Sequence, residues 1–113
     1  IFFFKQKTAY DIIVPSGTNG QWKIGLKAKN IFGKIPDTYT AFNLKVFVDD
    51  IYKGDIVVPA SATKYRSGSF IAGLTSGVHR IKFLWINDYW VQGVYDANIQ
   101  TKEVFFERIN QWK

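Results

Sequence analysis

Three observations predict an all-β fold, an antiparallel β-sandwich of jelly-roll type. Apolar residues recur at every second position in several segments, as they do in strands buried on one face. Turn formers break the chain at short intervals, at Pro15-Ser16-Gly17, Asn19-Gly20, Gly33, Pro36-Asp37, Gly54, Pro59, Gly68 and Gly77. No stretch sustains the 3.6-residue period of a helix. Short alternating strands between such turns are the pattern of a sandwich.

The elements follow in order from residue 12. Gln21 to Lys29 sets Trp22, Ile24, Leu26 and Ala28 against Lys23, Gly25, Lys27 and Lys29, so its inner face is apolar. Asn43 to Asp49 repeats the pattern with Leu44, Val46 and Val48. Asp49-Asp50 then turns the chain into Tyr52 to Val58, which predicts a hairpin. Ser69 to Leu74 reads as a shorter strand. After the Ser76-Gly77 turn, Val78 to Ile86 is a long β-rich run in which Ile81, Phe83 and Trp85 share a face with His79. Asn98 to Ile109 returns as the last strand. Its alternation slips near Lys102-Glu103, so that Val104 and Phe106 face inward, and a bulge or twist is expected there.

The start of the chain reads differently. Ile1-Phe2-Phe3-Phe4 is apolar, but the run ends at Lys5, far short of the ~20 residues that span a bilayer. It also lacks the leader, apolar length and cleavage site of a signal peptide. FFFKQKTAYDI resembles a string produced when sequencing-adapter DNA is translated at the edge of an assembled read. Residues 1–11 are therefore expected to be a non-native extension, standing where a native first strand or an upstream domain has been lost, with a real N-terminal strand as the alternative, and residues 12–113 to be the domain proper.

Length and composition bound the function. At 113 residues the chain is one domain with a single core. With 47% hydrophobic and 21% charged residues it has the balance of a folded protein rather than a disordered one. Aromatics reach 18%, which serves both sandwich cores and sugar-binding faces. The net charge is +6, yet Lys23, Lys27, Lys29, Lys34, Lys45, Lys53, Lys64, Arg66, Arg80 and Lys82 are spread singly, mostly at alternate strand positions. That spacing reads as a solvated outer face rather than a nucleic-acid surface. The chain has no cysteine, which excludes disulfides, thiol catalysis and zinc-thiolate sites.

Three long irregular segments, Asn30 to Phe42, Pro59 to Gly68 and Asn87 to Ala97, are where a site is expected. The last is the richest. It holds Asn87-Asp88 followed by Tyr89 and Trp90, then Tyr95 before Asp96-Ala97-Asn98. Short carboxylates and amides supply hard oxygens suited to calcium or sugar hydroxyls, and an indole or phenol gives a flat face to a pyranose ring. The same Asn and Asp residues also suit plain turn capping. Tyr39, Tyr65 and Arg66 lie in the other two segments and could extend a surface. Trp22 and Trp85 sit at inward positions and read as core, and His79 as a structural hydrogen-bonder.

Enzyme readings find little support. No Gly-x-Ser-x-Gly elbow accompanies His79, no phosphate-cradling glycine loop is present, and a glycosidase pair from Asp88 with Asp96 or Glu103 would lack a deep cleft.

Four blocks, GTNGQWKIGLKAKN, NLKVFVDD, SGVHRIKFLWIND and YDANIQTKEVFFE, together resemble the β-sandwich carbohydrate-binding modules of families six, thirty-five, thirty-six and sixty. The matching parts are Val48-Asp49-Asp50, Ser76-Gly77-Val78-His79, Asn87-Asp88-Tyr89 and Asp96-Ala97-Asn98-Ile99, and the resemblance covers about residues 12–109. It implies a non-catalytic polysaccharide-binding module, secreted or at the cell surface, joined covalently to a catalytic domain, without nucleic-acid partners or membrane insertion. It further implies calcium held by Asp88 and Asp96 with help from Asn87 and Asn98, and sugar stacking on Tyr89, Trp90, Tyr95 and Tyr39. Calcium-dependent xylan binders of these families usually carry Asp-Arg-Asn where this chain has Asp96-Ala97-Asn98, which leaves the ion and the ligand class open. A structural or adhesion sandwich without glycan affinity is the alternative.

Overall fold

The computed structural model describes residues 2–3 and 8–109. They form ten strands: β1 (Phe2–Phe3), β2 (Thr8–Val14), β3 (Gly20–Asn30), β4 (Ala41–Val48), β5 (Ile51–Pro59), β6 (Arg66–Leu74), β7 (Gly77–Trp85), β8 (Trp90–Val91), β9 (Tyr95–Asp96) and β10 (Ile99–Arg108). Two four-stranded antiparallel sheets, in the orders β1-β10-β3-β6 and β2-β7-β4-β5, make the sandwich, and β8 with β9 forms a separate ribbon. The pairs nest as β1 with β10, β2 with β7, β3 with β6 and β4 with β5, as though one long hairpin had been rolled up. This is the jelly-roll arrangement expected from the sequence. Among the described residues there is no helix long and apolar enough to cross a membrane.

The alternating residues meet between the sheets. Ile24, Leu26 and Ala28 of β3 are fully buried with Phe42, Leu44 and Val46 of β4, Ile56 and Val58 of β5, and Ile81 and Phe83 of β7. Trp85 is 3% exposed, whereas Trp22 is only half-buried at the core's margin. The sheets come close at Gly68, where a methyl group would lie 2.6 Å from Val57 O. A side chain there would push β6 away from β5.

A tight turn and a bulge shape the ends. The β4–β5 hairpin turns through Asp49 and Asp50 alone, both left-handed at φ 52° and 68°, a conformation that short polar side chains tolerate. In β10 the register against β3 shifts between Lys102 and Phe105, with Glu103 at φ 53°. This bulge lies where the alternation slips in the sequence, and Val104 and Phe106 both pack on the core as expected.

Other details differ from the sequence reading. β6 begins at Arg66, three residues earlier than the alternation suggested, because Ser67 and Gly68 pair with Lys27 and Leu26 despite their weak strand preference. The expected loop from Asn87 to Ala97 contains the β8–β9 ribbon. Within the segment expected to be foreign, Thr8–Asp11 runs as the first half of β2 against β7, and the Tyr10 ring meets Phe83 edge-on at 5.7 Å. Residues 1 and 4–7 of that segment lie outside the described residues.

Candidate functional site

The three long segments gather at one end of the sandwich. Asn30 N donates to Ser61 O, Ala60 N to Thr40 O, and Ile31 N to Asn98 O, so the β3–β4, β5–β6 and β7–β10 connections are tied to one another. The opposite end carries the Asp49-Asp50 turn and His79.

Asn30 organises the loop end. Its side chain is 1% exposed, and its Oδ1 accepts from Asn98 N at 2.7 Å while its Nδ2 donates to Gly33 O at 2.9 Å. Asp96 N donates to Lys34 O at 2.9 Å, which zips residues 30–34 to residues 96–98. Gly33 is required here, since a methyl group at its Cα would lie 2.4 Å from Asp96 O. The β8–β9 ribbon then pairs Trp90 with Asp96 and Val91 with Tyr95. Cross-strand partners share a face, so Trp90 stands beside Asp96 and Tyr95 lies on the other side.

Asn87 serves a different purpose. Its Oδ1 accepts from Asn43 N at 2.8 Å and from Trp85 Nε1 at 2.9 Å, and its Nδ2 donates to Ala41 O at 2.8 Å. Its backbone oxygen accepts from the Tyr39 hydroxyl at 2.8 Å. Both lone pairs of the amide oxygen are engaged, so this side chain staples β7 to β4 and has none left for a cation. Burial pushes the Tyr39 hydroxyl up to about 12, with the Asp88 charge adding to the rise against the Trp85 hydrogen bond, so Tyr39 stays a proton donor. Asp88 Oδ1 accepts from the adjacent Tyr89 N at 2.8 Å, a purely local bond.

A row of rings runs outward from the core. Trp85 meets Phe42 at 6.0 Å, Phe42 meets Tyr39 at 5.8 Å, Tyr39 meets Tyr89 at 6.2 Å, and Tyr89 meets Tyr95 at 6.1 Å. Each pair falls within the spacing of favourable aromatic contacts. Tyr39 is thus a half-buried link, whereas Tyr89 is 39% and Trp90 63% exposed. Beside Trp90 lies a groove of about 260 Å³, lined also by Gly33, Lys34, Gly93, Tyr95 and Asp96. Another recess, of about 310 Å³, follows the seam between β2 and β10 near Tyr10 and Phe106, away from the loops.

The structure therefore brings Tyr89, Trp90, Tyr95, Asp88 and Asp96 to one end, with Asn98, whose Nδ2 donates to Asp96 O at 3.3 Å, beneath them. Sequence reasoning missed Asn30, Lys34 and Phe32. Phe32 is 82% exposed at φ 57°, but a lone Phe in a loop gives no sign of whether it points in or out. Among the described residues no three or more His, Cys, Asp or Glu side chains cluster as a metal group. Calcium takes about 6–8 oxygens from carboxylates, carbonyls and waters, and of the four expected ligands Asn87 has its amide oxygen committed to Asn43 and Trp85.

At the far end, His79 Nδ1 lies 2.6 Å from Asp49 Oδ2 and its Nε2 lies 2.7 Å from Thr75 O. Arg80 N also donates to Asp49 Oδ1 at 2.9 Å. The Asp49 carboxylate and the Thr75 carbonyl raise the His79 pKa, and the Arg80 amide followed by His79 lowers that of Asp49. His79 joins the hairpin turn to β7 and lies nowhere near the aromatic groove.

No protein-family model matches this chain, and no curated protein sequence does. Solved structures match its fold. A family 35 carbohydrate-binding module from Clostridium thermocellum superposes with a TM-score of 0.58 at 13% identity, covering 86% of this chain and 69% of that one. A family 35 module from Cellvibrio japonicus gives 0.53 at 10% identity, over 93% and 73%. A cycloisomaltooligosaccharide glucanotransferase from Paenibacillus, solved with cycloisomaltoheptaose, gives 0.58 at 16% identity over 90% of this chain, which spans only 13% of that enzyme. The fold is the β-sandwich that carbohydrate-binding modules adopt.

Proposed function

From a fold shared with family 35 carbohydrate-binding modules, we propose that this chain binds polysaccharide without catalysing its cleavage, and that it does so at the loop end. The observation that carries the reading is Trp90, an exposed indole with the Asp96 residue paired beside it and an open groove at its edge. An exposed ring gives a pyranose its apolar face to rest on, and a neighbouring carboxylate and ammonium orient its hydroxyls. Lys34 and Asp96 supply polar contacts, Tyr95 lines the groove from the ribbon's other side, and Tyr89 and Tyr39 pack behind it. The groove suits one or two sugar units of a longer chain.

The reading routes no contact through calcium, since the Asn87 amide oxygen is already engaged by Asn43 and Trp85. The chain acts as one module of a larger secreted or cell-surface polysaccharide-active protein, by analogy with the portion it matches in the glucanotransferase. Affinity gel electrophoresis through a panel of soluble polysaccharides tests the reading. The parent is retarded by at least one glycan, with or without chelator, and Trp90→Ala is not. Retardation by none of the glycans would sink it.

The Asn87 staple between β7 and β4 and the local bond of Asp88 favour a second reading, a structural or adhesion sandwich whose acid and amide residues only stiffen the fold. Under it, the parent and Trp90→Ala migrate alike in every gel.

A further inference from the structure

The outer face of the β10-β3-β6 sheet has chemistry of its own. Lys27 of β3 stands directly across from Lys102 of β10. Like charges in a cross-strand pair are unfavourable. At this point β10 bulges, and Glu103 adopts a left-handed backbone that is strained for a residue with a side chain. Its carboxylate thereby lies 3.1 Å from Lys27 Nζ and 3.6 Å from Lys102 Nζ, one anion between two cations.

A third cation joins them. Lys29 Nζ and Lys102 Nζ lie 5.0 and 4.1 Å from the centre of the Tyr65 ring, within cation–π range. Lys23, farther along, is balanced by Glu107 opposite it. Around Tyr65, then, three ammoniums meet one carboxylate, and the exposed Lys64 and Arg66 flank the ring in sequence. The three members of the Glu103 bridge are open to solvent, at 42%, 47% and 56% side-chain exposure.

We propose that this face is a second binding surface, for a linear polysaccharide bearing carboxylates or sulfates, and that Glu103 occupies in cis the place a ligand anion takes between Lys27 and Lys102. Alternate residues on a strand lie about 7 Å apart, so Lys27 and Lys29 present a row of charge along β3 suited to a repeating anion. Single-stranded nucleic acid needs open rings for its bases. Here Tyr65 carries lysines, and Phe105 lies against Gly25, whose added methyl group would meet its ring at 2.4 Å. A glycan anion needs only the ammoniums.

This surface is independent of the loop-end groove, and the experiment keeps the two apart. Affinity electrophoresis is run with polygalacturonate, with carrageenan, which bears sulfates and no carboxylate, and with neutral xylan, with a thymidine 20-mer as competitor. Variants are checked for folding by thermal melting. Exposed ion pairs are weak, so Glu103→Gln should tighten retention on an acidic polysaccharide about threefold or more, and Lys27→Gln with Lys102→Gln should weaken it about tenfold. Added salt weakens it further. The polygalacturonate and carrageenan arms separate a carboxylated ligand from a sulfated one. Trp90→Ala leaves acidic retention unchanged whatever it does to neutral glycan. Retention on neither acidic polymer overturns the proposal, as does Glu103→Gln binding no more tightly than the parent. So does competition by the oligonucleotide at concentrations equal to the polysaccharide's. If the double lysine variant fails to fold, the sign of the Glu103→Gln effect alone decides.

Discussion

Trp85 and Trp90 are five positions apart and do opposite things. Trp85 shares parity with Ile81 and Phe83, so its burial was legible in the alternation of β7, whereas Trp90 lies beyond the strand's end, where parity says nothing. Trp85→Ala should cost about 3–5 kcal/mol in urea unfolding, the range for truncating a buried aromatic. Trp90→Ala should leave the urea midpoint nearly unchanged and remove retention on neutral glycan, and equal destabilisation by both would contradict the assignment. Asn87 shows the limit of reading single residues. A turn cap, a ligand to a cation and a structural staple all require the same amide oxygen, and only the positions of Asn43, Ala41 and Trp85 reveal which one this is. Asn87→Ala should lower stability by about 2–3 kcal/mol in the same assay, since each of its three side-chain bonds is worth about 1 kcal/mol.

The β4–β5 hairpin was legible as an element, because Val48-Asp49-Asp50 ends an alternating run, but its clasp to β7 was not. His79 and Asp49 are 30 residues apart, and the sequence does not reveal that they meet. The clasp makes stability depend on pH with a definite sign. The Asp49 contribution is complete above its ordinary value of 3.8 and is lost as pH falls through its lowered folded value. The His79 contribution is complete below 6.5 and is lost as pH rises through its raised folded value. Urea stability should therefore carry an increment between about pH 4 and 6.5 that His79→Gln removes, and identical pH profiles for parent and variant would contradict the clasp. The β3–β4 loop has its own test. Gly33→Ala places a methyl group against Asp96 O, so it should displace the β8–β9 ribbon and reduce glycan retention while the core strands keep their hydrogen-exchange protection.

For the molecule as a whole, the nested strand pairs make most contacts distant in sequence. Calcium is a question at this scale, since an ion bound by the native state alone raises its apparent stability. With the Asn87 oxygen already filled, the melting temperature should be unchanged by chelator and by added calcium, and a rise with calcium would restore the ion to the loop end. Most of the long strands, their inward faces, the β10 bulge and the existence of three long loops followed from the sequence alone, because alternation and turn chemistry are local properties of the chain. The tertiary structure alone decided what stands beside what: Asp96 against Gly33, Tyr39 under Tyr89, Lys27 across from Lys102. Register between strands depends on the packing of both faces and on bulges far along the chain, and a period of two is the same in every register.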